Sequence, residues 1–450
     1  MKATLDKQRS YFLSDATKDY KFRLEQLDKL YNAIKDKEED ILEALEFDLG
    51  KSRFEAYTTE IGITLKSIRV ARKQLKKWMK KRRVKTPFYL IGAKSYIQAE
   101  PLGNVLIIGP YNYPFYLVIE PLIGAIAAGN TVVIKPSEYT SAIEAVIREM
   151  MDSTFDDEYI KVFTGDKTIA QKLLEHRFDH IFFTGSTKVG QIVYEAASKH
   201  LTPVTLELGG KSPAIIDRSA NIKVAARRIV FGKFLNAGQT CIAPDFLYVD
   251  ATIKDKLIAE IKQTLDAFYP NLPNEYGRIV NQDHFDRLSD LIDDARVVHP
   301  YKIDRKQTLI TPVLMTDITF EDAIMQEEIF GPILPIITYN TLDEAIQTLK
   351  QKAKPLALYL FTSDKKQEEK VFNALSFGGG AVNDTIQHVA NIYLPFGGVG
   401  ASGFGVYHGK HSFDTFSNMK AFIKRTTKLD PSIAYPPYKK KEKWIRKILK

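Results

Sequence analysis

Residues 104–135 read NVLIIGPYNYPFYLVIEPLIGAIAAGNTVVIK, and this stretch decides the fold. It begins and ends with short, almost continuously apolar runs, NVLII at 104–108 and TVVI at 131–134, with a helical pattern at 120–128 between them. Strands that are apolar throughout are typical of a parallel sheet, because helices cover both of its faces. The stretch therefore predicts a β-α-β unit inside an α/β domain.

The alternation of strand and helix continues on both sides of this unit. Further predicted strands lie at 159–163, 180–183 and 204–208, and predicted helices at 141–151, 168–176 and 188–198. This succession predicts a doubly wound sheet with ligands at the carboxyl ends of its strands. A second alternating set, which predicts a second α/β domain, comprises strands 246–249, 333–339 and 357–361 and helices 253–268, 342–350 and 366–374. Residues 8–81 read as charged amphipathic helices, and 94–99 and 419–424 as isolated strands.

Composition narrows the class of protein. The chain has 450 residues, of which 44% are hydrophobic and 26% charged, so two or three globular domains are expected. A single cysteine excludes an intramolecular disulfide and a multi-cysteine zinc site, and the histidines form no convincing ligand set, so no metal is predicted. The charged first thirty residues lack the apolar core of a signal peptide, which favours a cytoplasmic protein.

The net positive charge of the chain comes from two basic segments. Residues 72–85 contain nine basic and no acidic residues, and residues 438–450 contain seven basic and one acidic. Each segment contains a tryptophan, which permits an anionic membrane surface or nucleic acid as partner. The favoured interpretation is a solvated helix face with a half-buried tryptophan, and without a recognised binding module no nucleic-acid partner is expected. Weak peripheral contact of the basic C-terminal tail with anionic lipid remains a hypothesis.

Two local sequences suit a nucleotide. GSTKVG at 185–190, which includes Gly185, Ser186 and Gly190, follows a strand and opens a helix whose free N–H groups can hold a phosphate. It is not the GxGxxG fingerprint, and packing glycines are the alternative. Lys135 and Glu138 (KPSE) follow the strand at 131–134, where a carboxylate could accept hydrogen bonds from a ribose, although a plain surface loop would look the same.

Three residues suit covalent catalysis. Glu207 lies in an apolar strand before two glycines, and burial would raise its pKa towards that of a general base. Cys241 lies on a loop (NAGQTCIAP) and could be a nucleophile, with a buried packing thiol as the alternative. Asn112 supplies a carboxamide on the proline-bracketed loop GPYNYP, where it could hold an oxyanion.

Together these motifs resemble the aldehyde dehydrogenases. PLGNVLIIGPYNYP, IKPSE, FFTGSTKVG, LELGGKSP, NAGQTC, EEIFGP and PFGGVGASG stand in the family's order and spacing, over roughly residues 21–424. The step of 34 residues from Glu207 to Cys241 matches the family's separation of base and nucleophile. GPYNYPF and YHGKHSFDTFS are similar to the class 3, fatty-aldehyde branch.

The resemblance implies a fold in three parts. A cofactor domain with a variant Rossmann sheet is expected over residues 1–207, apart from a bridging strand near 84–100, and an α/β catalytic domain over 208–410. Residues 84–100 and 411–437 are expected to form a small β bridging element, and 438–450 a basic tail. Class 3 relatives are usually dimers, so the bridging element implies a homodimer.

The resemblance also assigns roles. Cys241 would attack the aldehyde, the Asn112 amide and the Cys241 N–H would hold the oxyanion, and Glu207 would activate the hydrolytic water. Lys135 and Glu138 would hold the adenosine ribose and residues 185–190 the pyrophosphate. Glu328 would bind the nicotinamide ribose, and Phe330 would pack near the nicotinamide. Glu138 favours NAD because a carboxylate repels a 2′-phosphate, while Lys135 could tolerate NADP.

Two departures from the family leave the physiological aldehyde open. Tyr111 stands where many relatives carry Trp, which alters the wall of the aldehyde channel, and the tail lacks the long apolar anchor of microsomal relatives. Medium- or long-chain aliphatic, aromatic and isoprenoid aldehydes are all compatible with the sequence. A related class that transfers acyl groups to coenzyme A or phosphate generally lacks the deacylating glutamate, so Glu207 argues against it. A non-enzymatic role would not require Cys241, Glu207 and Asn112 together.

Overall fold

The computed structural model describes residues 1–270, 272, 276–432, 435–438 and 441–449. Its α-helices span Lys2–Leu13, Tyr20–Asp36, Glu38–Leu49, Arg53–Ala56, Gly62–Trp78, Tyr116–Ala128, Ser141–Thr154, Lys167–Leu174, Thr187–Ser198, Ile222–Phe234, Lys254–Phe268, Gln282–Ser289, Leu342–Lys350, Lys365–Ala374, Lys410–Thr415 and Glu442–Leu449. Its strands span Arg82–Val84, Ala93–Pro101, Asn104–Ile108, Thr131–Lys135, Ile160–Val162, His180–Gly185, Val204–Leu208, Pro213–Ile216, Phe246–Asp250, Ile303–Asp304, Leu309–Ile310, Val313–Met315, Ile333–Tyr339, Ala357–Phe361, Gly379–Val382, Gly403–Phe404 and Ser417–Arg425.

The first sheet contains all five strands that the N-terminal alternation predicts. Its strand order is 403–404, 204–208, 180–185, 104–108, 131–135 and 160–162. The neighbours are parallel except for the short strand 403–404, which pairs antiparallel with 204–208. Strands 104–108 and 131–135 are buried along their whole length, as their continuous apolar sequence predicts.

The second sheet is a six-stranded parallel sheet with the order 313–315, 333–339, 246–250, 213–216, 357–361 and 379–382. The three longer predicted strands of the second alternating set are all present. The sequence analysis missed 213–216, 313–315 and 379–382, which have only three or four residues each. Two parallel sheets flanked by helices confirm the predicted α/β class.

A third, antiparallel sheet joins strands 82–84, 93–101 and 417–425. The two isolated strand predictions, 94–99 and 419–424, pair here in a continuous register from Ser417 opposite Pro101 to Arg425 opposite Ala93. The basic segment 72–85 is only partly the helix face that was predicted, because the helix ends at Trp78 and residues 82–84 pair with 93–101. Trp78 is half-buried, as expected, with its ring 5.7 Å from that of Phe413.

The amino-terminal helices pack on both sides of the first sheet: helix 2–13 contacts strands 104–108 and 131–135 directly, whereas helices 20–36 and 62–78 pack on helix 116–128. Helices 20–36 and 62–78 contact each other and the fully buried helix 116–128. Between them, a short helix at 53–56 continues into a π-turn at Tyr57–Ile61. This irregular segment lies against the loop that follows strand 104–108.

Strand membership changes from the first to the second sheet between residues 208 and 213 and returns at 403–404. The boundaries at 207, 410 and 437 stay predictions. Residues 271, 273–275, 433, 434, 439, 440 and 450 of the predicted catalytic domain, bridging element and tail lie outside the described residues. Among the helices that the structure describes, none is both long and apolar enough to cross a bilayer.

Candidate active site

A cavity of about 1300 Å³ lies where the carboxyl ends of the first sheet face the second sheet. Its wall includes these residues from the sequence analysis: Asn112, Gly185, Ser186, Glu207, Cys241, Glu328 and Phe330. Lys135, Glu138 and Gly190 stand behind the wall, next to lining residues. The position agrees with the rule that parallel α/β sheets bind ligands at the carboxyl ends of their strands.

The loop that carries Cys241 is held by an unusual backbone. Asn236, Ala237 and Gly238 follow one another with φ of 54°, 51° and 74°, in the left-handed region. At Gly238 a Cβ atom would lie 2.2 Å from the carbonyl oxygen of Gly331, so only glycine fits. This turn presents the half-buried thiol of Cys241 to the cavity.

The electrostatic environment of Cys241 combines burial with two carboxyls. Burial, followed by the nearby carboxyls of Glu328 and Glu207, raises the pKa of the thiol above its usual range. The backbone N–H groups of Cys241 and Ile242 act in the opposite direction and lower that pKa. The thiol therefore keeps its proton at neutral pH until a base takes it.

Asn112 ties the first sheet to the cysteine loop. Its side-chain amide donates a hydrogen bond to the carbonyl of Gln239 at 3.0 Å, two residues before Cys241. Its own backbone carbonyl accepts from Nζ of Lys51 at 2.9 Å and from the side-chain amide of Asn236 at 2.8 Å. The buried carboxamide is thus fixed to the loop that carries Cys241, and it has a second N–H with no partner among the described residues.

Glu207 is a buried carboxyl whose two oxygens have no hydrogen-bond partner among the described residues. It lies one residue before the end of strand 204–208, and burial raises its pKa well above the usual range. An unpartnered buried carboxyl on a cavity wall is costly to maintain. It is suited to accept a proton from a molecule that enters the cavity.

Glu328 and Phe330 approach the cavity from the loop before strand 333–339. Burial, assisted by the negative charge of Asp245, raises the pKa of Glu328 to about 8. A Cβ atom at Gly209 would lie 1.8 Å from a Glu328 oxygen, so glycine there makes room for the carboxyl. Phe330 has a φ of 50°, and its ring meets that of Tyr111 edge-on at 5.8 Å.

Lys135 and Glu138 form an ion pair next to the cavity wall. Nζ of the buried Lys135 donates to the carbonyl of Pro136 at 2.6 Å and to Glu138 at 3.1 Å. The neighbours Ser137 and Tyr139 line the cavity. The pair therefore lies next to the cavity wall, and it occupies one of the two Glu138 oxygens.

The turn at 185–190 is a helix N-terminus that opens on the cavity. Ser186 caps helix 187–198, because its hydroxyl accepts from the N–H of Val189 at 3.4 Å. Gly190 serves close packing: a Cβ atom there would lie 2.6 Å from Cδ2 of Leu208 on the neighbouring strand. The two glycines therefore have different surroundings. Gly185 lines the cavity, as the phosphate-binding interpretation requires, whereas Gly190 packs the helix against the sheet, as the packing interpretation requires.

Several residues around the site escaped the sequence analysis. Lys51 and Glu60 form a completely buried ion pair beside Asn112, and Glu55 accepts from the N–H of Asn236 at 2.8 Å. Each is an isolated charged residue in a charged helical region, so no sequence pattern distinguished it. Among the described residues, no group of three His, Cys, Asp or Glu side chains is arranged to hold a metal ion.

Comparison with known proteins places this geometry in a family. The family model described as "Aldehyde dehydrogenase family" matches residues 3–422. The chain is 56% identical over 447 residues to the 4,4'-diaponeurosporen-aldehyde dehydrogenase of Staphylococcus aureus, covering 98% of this chain and 97% of that protein. It is 44% identical to aldehyde dehydrogenase family 3 member H1 of Arabidopsis thaliana, covering 98% and 93%.

Solved structures agree. The substrate-bound state of Staphylococcus aureus AldH superposes with a TM-score of 0.98 at 54% identity, covering 100% of this chain and 99% of that one. The fold and sequence of the whole chain, the cavity between the two sheets included, are thus those of an NAD- or NADP-dependent oxidoreductase acting on aldehydes. The chain belongs to the aldehyde dehydrogenase family, and members of its family 3 branch are among its relatives.

Proposed function

We propose that this enzyme oxidises long apolar aldehydes, in particular isoprenoid-derived ones, through a covalent intermediate on Cys241, with Glu207 as base and Asn112 as oxyanion donor. The observation that carries the assignment is the meeting of these three side chains, from distant parts of the chain, on the wall of one cavity. The relative named for a diaponeurosporene aldehyde, at 56% identity, supports the substrate class.

The first half of the reaction forms a bond to sulfur. Glu207 takes the thiol proton, directly or through water, and the sulfur of Cys241 attacks the aldehyde carbon to give a thiohemiacetal. The free N–H of the Asn112 amide and the backbone N–H groups at Cys241 and Ile242 stabilise the negative oxygen. NAD or NADP, when bound, accepts the hydride from this carbon.

The second half breaks the bond to sulfur. The carbon is now a thioester on Cys241. Glu207 first releases the thiol proton to solvent, and its carboxylate then removes a proton from water, which attacks that carbon. The same donors stabilise the second tetrahedral oxyanion, which collapses to the carboxylic acid and returns the sulfur to its starting form. One buried carboxyl with a raised pKa can serve both steps, because each step needs a proton acceptor near neutral pH.

The residues along the cavity fit a dinucleotide. The capped helix N-terminus at Ser186 suits the pyrophosphate, and the Lys135–Glu138 pair suits the adenosine ribose. Glu328, reached past Gly209, suits the hydroxyls of the nicotinamide ribose, and Phe330 packs beside that position. We assign NAD as the preferred cofactor, with NADP also accepted, because Glu138 disfavours a 2′-phosphate while Lys135 offsets part of the repulsion.

The proposed organisation follows the sequence analysis: a cofactor domain at 1–207 apart from the bridging strand, a catalytic domain at 208–410, and a bridging element that pairs two subunits in a homodimer. The third sheet supports this, because 417–425 is an edge strand, and an edge strand can pair with a strand of a second subunit.

We also propose a cytoplasmic enzyme whose basic tail contacts anionic lipid weakly. Helix 442–449 carries the exposed Trp444 and Leu449 among basic residues, which favours such contact. Equal sedimentation with anionic vesicles with and without residues 438–450 would dismiss it.

The test is NADH formation at 340 nm with aldehydes of increasing length, including a polyene isoprenoid aldehyde. We expect kcat/KM to rise with apolar length and the Cys241→Ala variant to lose activity altogether. Activity that appears only when coenzyme A or phosphate is added would instead assign the protein to the acyl-transferring class.

A further inference from the structure

The segment 51–60 places three charged side chains against both loops of the active site. Lys51, Glu55 and Glu60 are all buried, although they lie in a region of charged, amphipathic helices. Taking charges out of water is costly unless each finds partners in good geometry. The partners are therefore informative: apart from the Lys51–Glu60 pair itself, they belong to the loops that carry Asn112 and Cys241 or to the start of helix 116–128.

Lys51 contacts the Asn112 loop from behind. Its ammonium donates to Glu60 at 2.5 Å and to the backbone carbonyl of Asn112 at 2.9 Å, and it lies 4.0 Å from the centre of the Tyr113 ring. These three partners use the three N–H donors of the ammonium. The Tyr113 hydroxyl lies 2.7 Å from the hydroxyl of Thr240, the residue before Cys241.

Glu60 and Glu55 complete the connection. The second oxygen of Glu60 accepts from the N–H groups of Phe115 and Tyr116 at 2.9 and 3.1 Å, at the start of helix 116–128. Glu55 accepts from the N–H of Asn236 at 2.8 Å in the cysteine loop. Glu60 lies five positions after Glu55 and within the π-turn at 57–61. Such turns recur at functional positions of helices.

We propose that Lys51, held by Glu60, is a positioning residue for the oxyanion site: it fixes the peptide of Asn112 so that the side-chain amide points at the oxygen bound to the Cys241 adduct. The inference rests on the oxyanion role proposed for Asn112. The ammonium acts through the Asn112 peptide and has no contact with Cys241. Loss of this anchor lets the amide move, and a displacement of about 1 Å can cost a rate about 100-fold.

The experiment compares two reactions of the same sulfur, without cofactor. Attack of Cys241 on p-nitrophenyl acetate passes through an oxyanion, releases p-nitrophenolate and leaves an acetyl thioester that water hydrolyses. Alkylation by iodoacetamide displaces iodide from a saturated carbon and forms no oxyanion. We expect Lys51→Met to slow p-nitrophenolate release about 10- to 100-fold and to leave the alkylation rate within about twofold.

Controls separate positioning from general damage. Lys37→Met removes a lysine that bridges Asp40 and Glu149 on outer helices and is expected to change neither rate. Because Lys51→Met leaves Glu60 buried without its partner, the variant Lys51→Met/Glu60→Gln carries the same test without the Glu60 charge, while the glutamine oxygen still accepts from Phe115 and Tyr116.

A double-mutant comparison decides the route. If Lys51 acts through Asn112, Lys51→Met adds little to the loss already caused by Asn112→Ala. Equal slowing of acylation and alkylation in both Lys51 variants, or fully multiplicative effects with Asn112→Ala, would overturn the proposal while the role of Asn112 stands. If Asn112→Ala alone leaves acylation unchanged, the proposed oxyanion role itself is wrong, and this inference falls with it.

Discussion

At the scale of single residues, both halves of the proposed reaction depend on the environment of Glu207. Its carboxyl is buried without a hydrogen-bond partner among the described residues, so its raised pKa comes from burial and not from a fixed neighbour. A group in this state can take protons from whatever enters the cavity. Cys241 lies close enough for the Glu207 charge to raise the pKa of its thiol, so the two groups titrate in each other's field.

Glu207→Gln is expected to block turnover after the first NADH. Glutamine cannot accept the proton of water, so the steady-state rate should fall at least about 100-fold. A burst of one NADH per site should persist, because water alone can still take the proton of the thiol. Rapid-mixing absorbance at 340 nm measures both. Glu120→Gln is the matched control, since Glu120 is a buried carboxyl with its pKa raised to about 7 by burial, away from the cavity. Unchanged steady-state turnover in Glu207→Gln would contradict the base assignment.

The role proposed for Glu138 is to set the choice between NAD and NADP. Replacing it by glutamine removes a negative charge beside the proposed ribose site and frees the ammonium of Lys135. We expect the ratio of kcat/KM for NADP to that for NAD to rise about tenfold, equivalent to about 1.4 kcal/mol. Glu144→Gln, whose carboxylate is 3.9 Å from the same ammonium, should change the ratio less. An unaltered ratio in Glu138→Gln would show that this carboxylate does not face the 2′-position.

At the scale of elements, the position of helix 187–198 depends on how closely it packs against strand 204–208. Gly190 lies in its first turn against Leu208, and no side chain fits between them. The helix N-terminus can approach the cavity only because this position carries no Cβ. A glycine that does not itself line the cavity therefore controls where the proposed pyrophosphate donors lie.

Gly190→Ala should weaken cofactor binding more than chemistry. The added methyl must displace Leu208 or the helix, so we expect the KM for NAD to rise about 5- to 10-fold, since a misplaced donor loses about 1 kcal/mol. Hydrolysis of p-nitrophenyl acetate, which needs no cofactor, should stay near the wild-type rate. Combining it with Leu208→Ala, which removes the clashing methyls, should restore part of the affinity. Equal losses of both activities would indicate general damage instead.

At the scale of the whole molecule, the buried His180 and His408 and the half-buried His388 make stability depend on pH. Burial lowers the pKa of His180 and His388 to about 4 and that of His408 to about 3. Because an unfolded histidine titrates at about 6.5, the unfolded chain binds more protons below that pH. The stabilisation is complete above about pH 6.5 and is lost as the pH falls towards 4.

His180→Asn should reduce this dependence. Each such histidine costs about 1.4 kcal/mol per pH unit, so between pH 7 and pH 5 the variant should lose roughly 2 kcal/mol less of its unfolding free energy than the wild type. Urea unfolding at the two pH values measures the difference. The variant loses the hydrogen bond to Thr205 and starts from lower stability, but the slope is the relevant quantity. An identical slope would show that His180 is not neutral in the folded protein.

Whether the sequence predicts a strand correctly depends on whether its own side chains or its tertiary contacts stabilise it. Strands 104–108, 333–339 and 357–361 match their predictions to the residue, because apolar side chains on both faces are required by any buried parallel strand. Strand 82–84 was missed because its sequence, RRV, is basic and only its pairing with 93–101 makes it a strand. The four residues of 213–216 are too few to show a pattern.

The same distinction applies to the site. By itself the sequence determined the α/β class and the residues suited to covalent chemistry, since a lone loop cysteine, a glutamate in an apolar strand and ordered glycine motifs are unusual locally. Tertiary structure alone decided that Gly190 packs rather than lines the cavity and that Lys51 and Glu60 lie behind Asn112. A charged residue in a charged helical region looks solvated. Its burial depends on loops that lie more than fifty residues away in the chain and meet it only when the sheets and helices have packed.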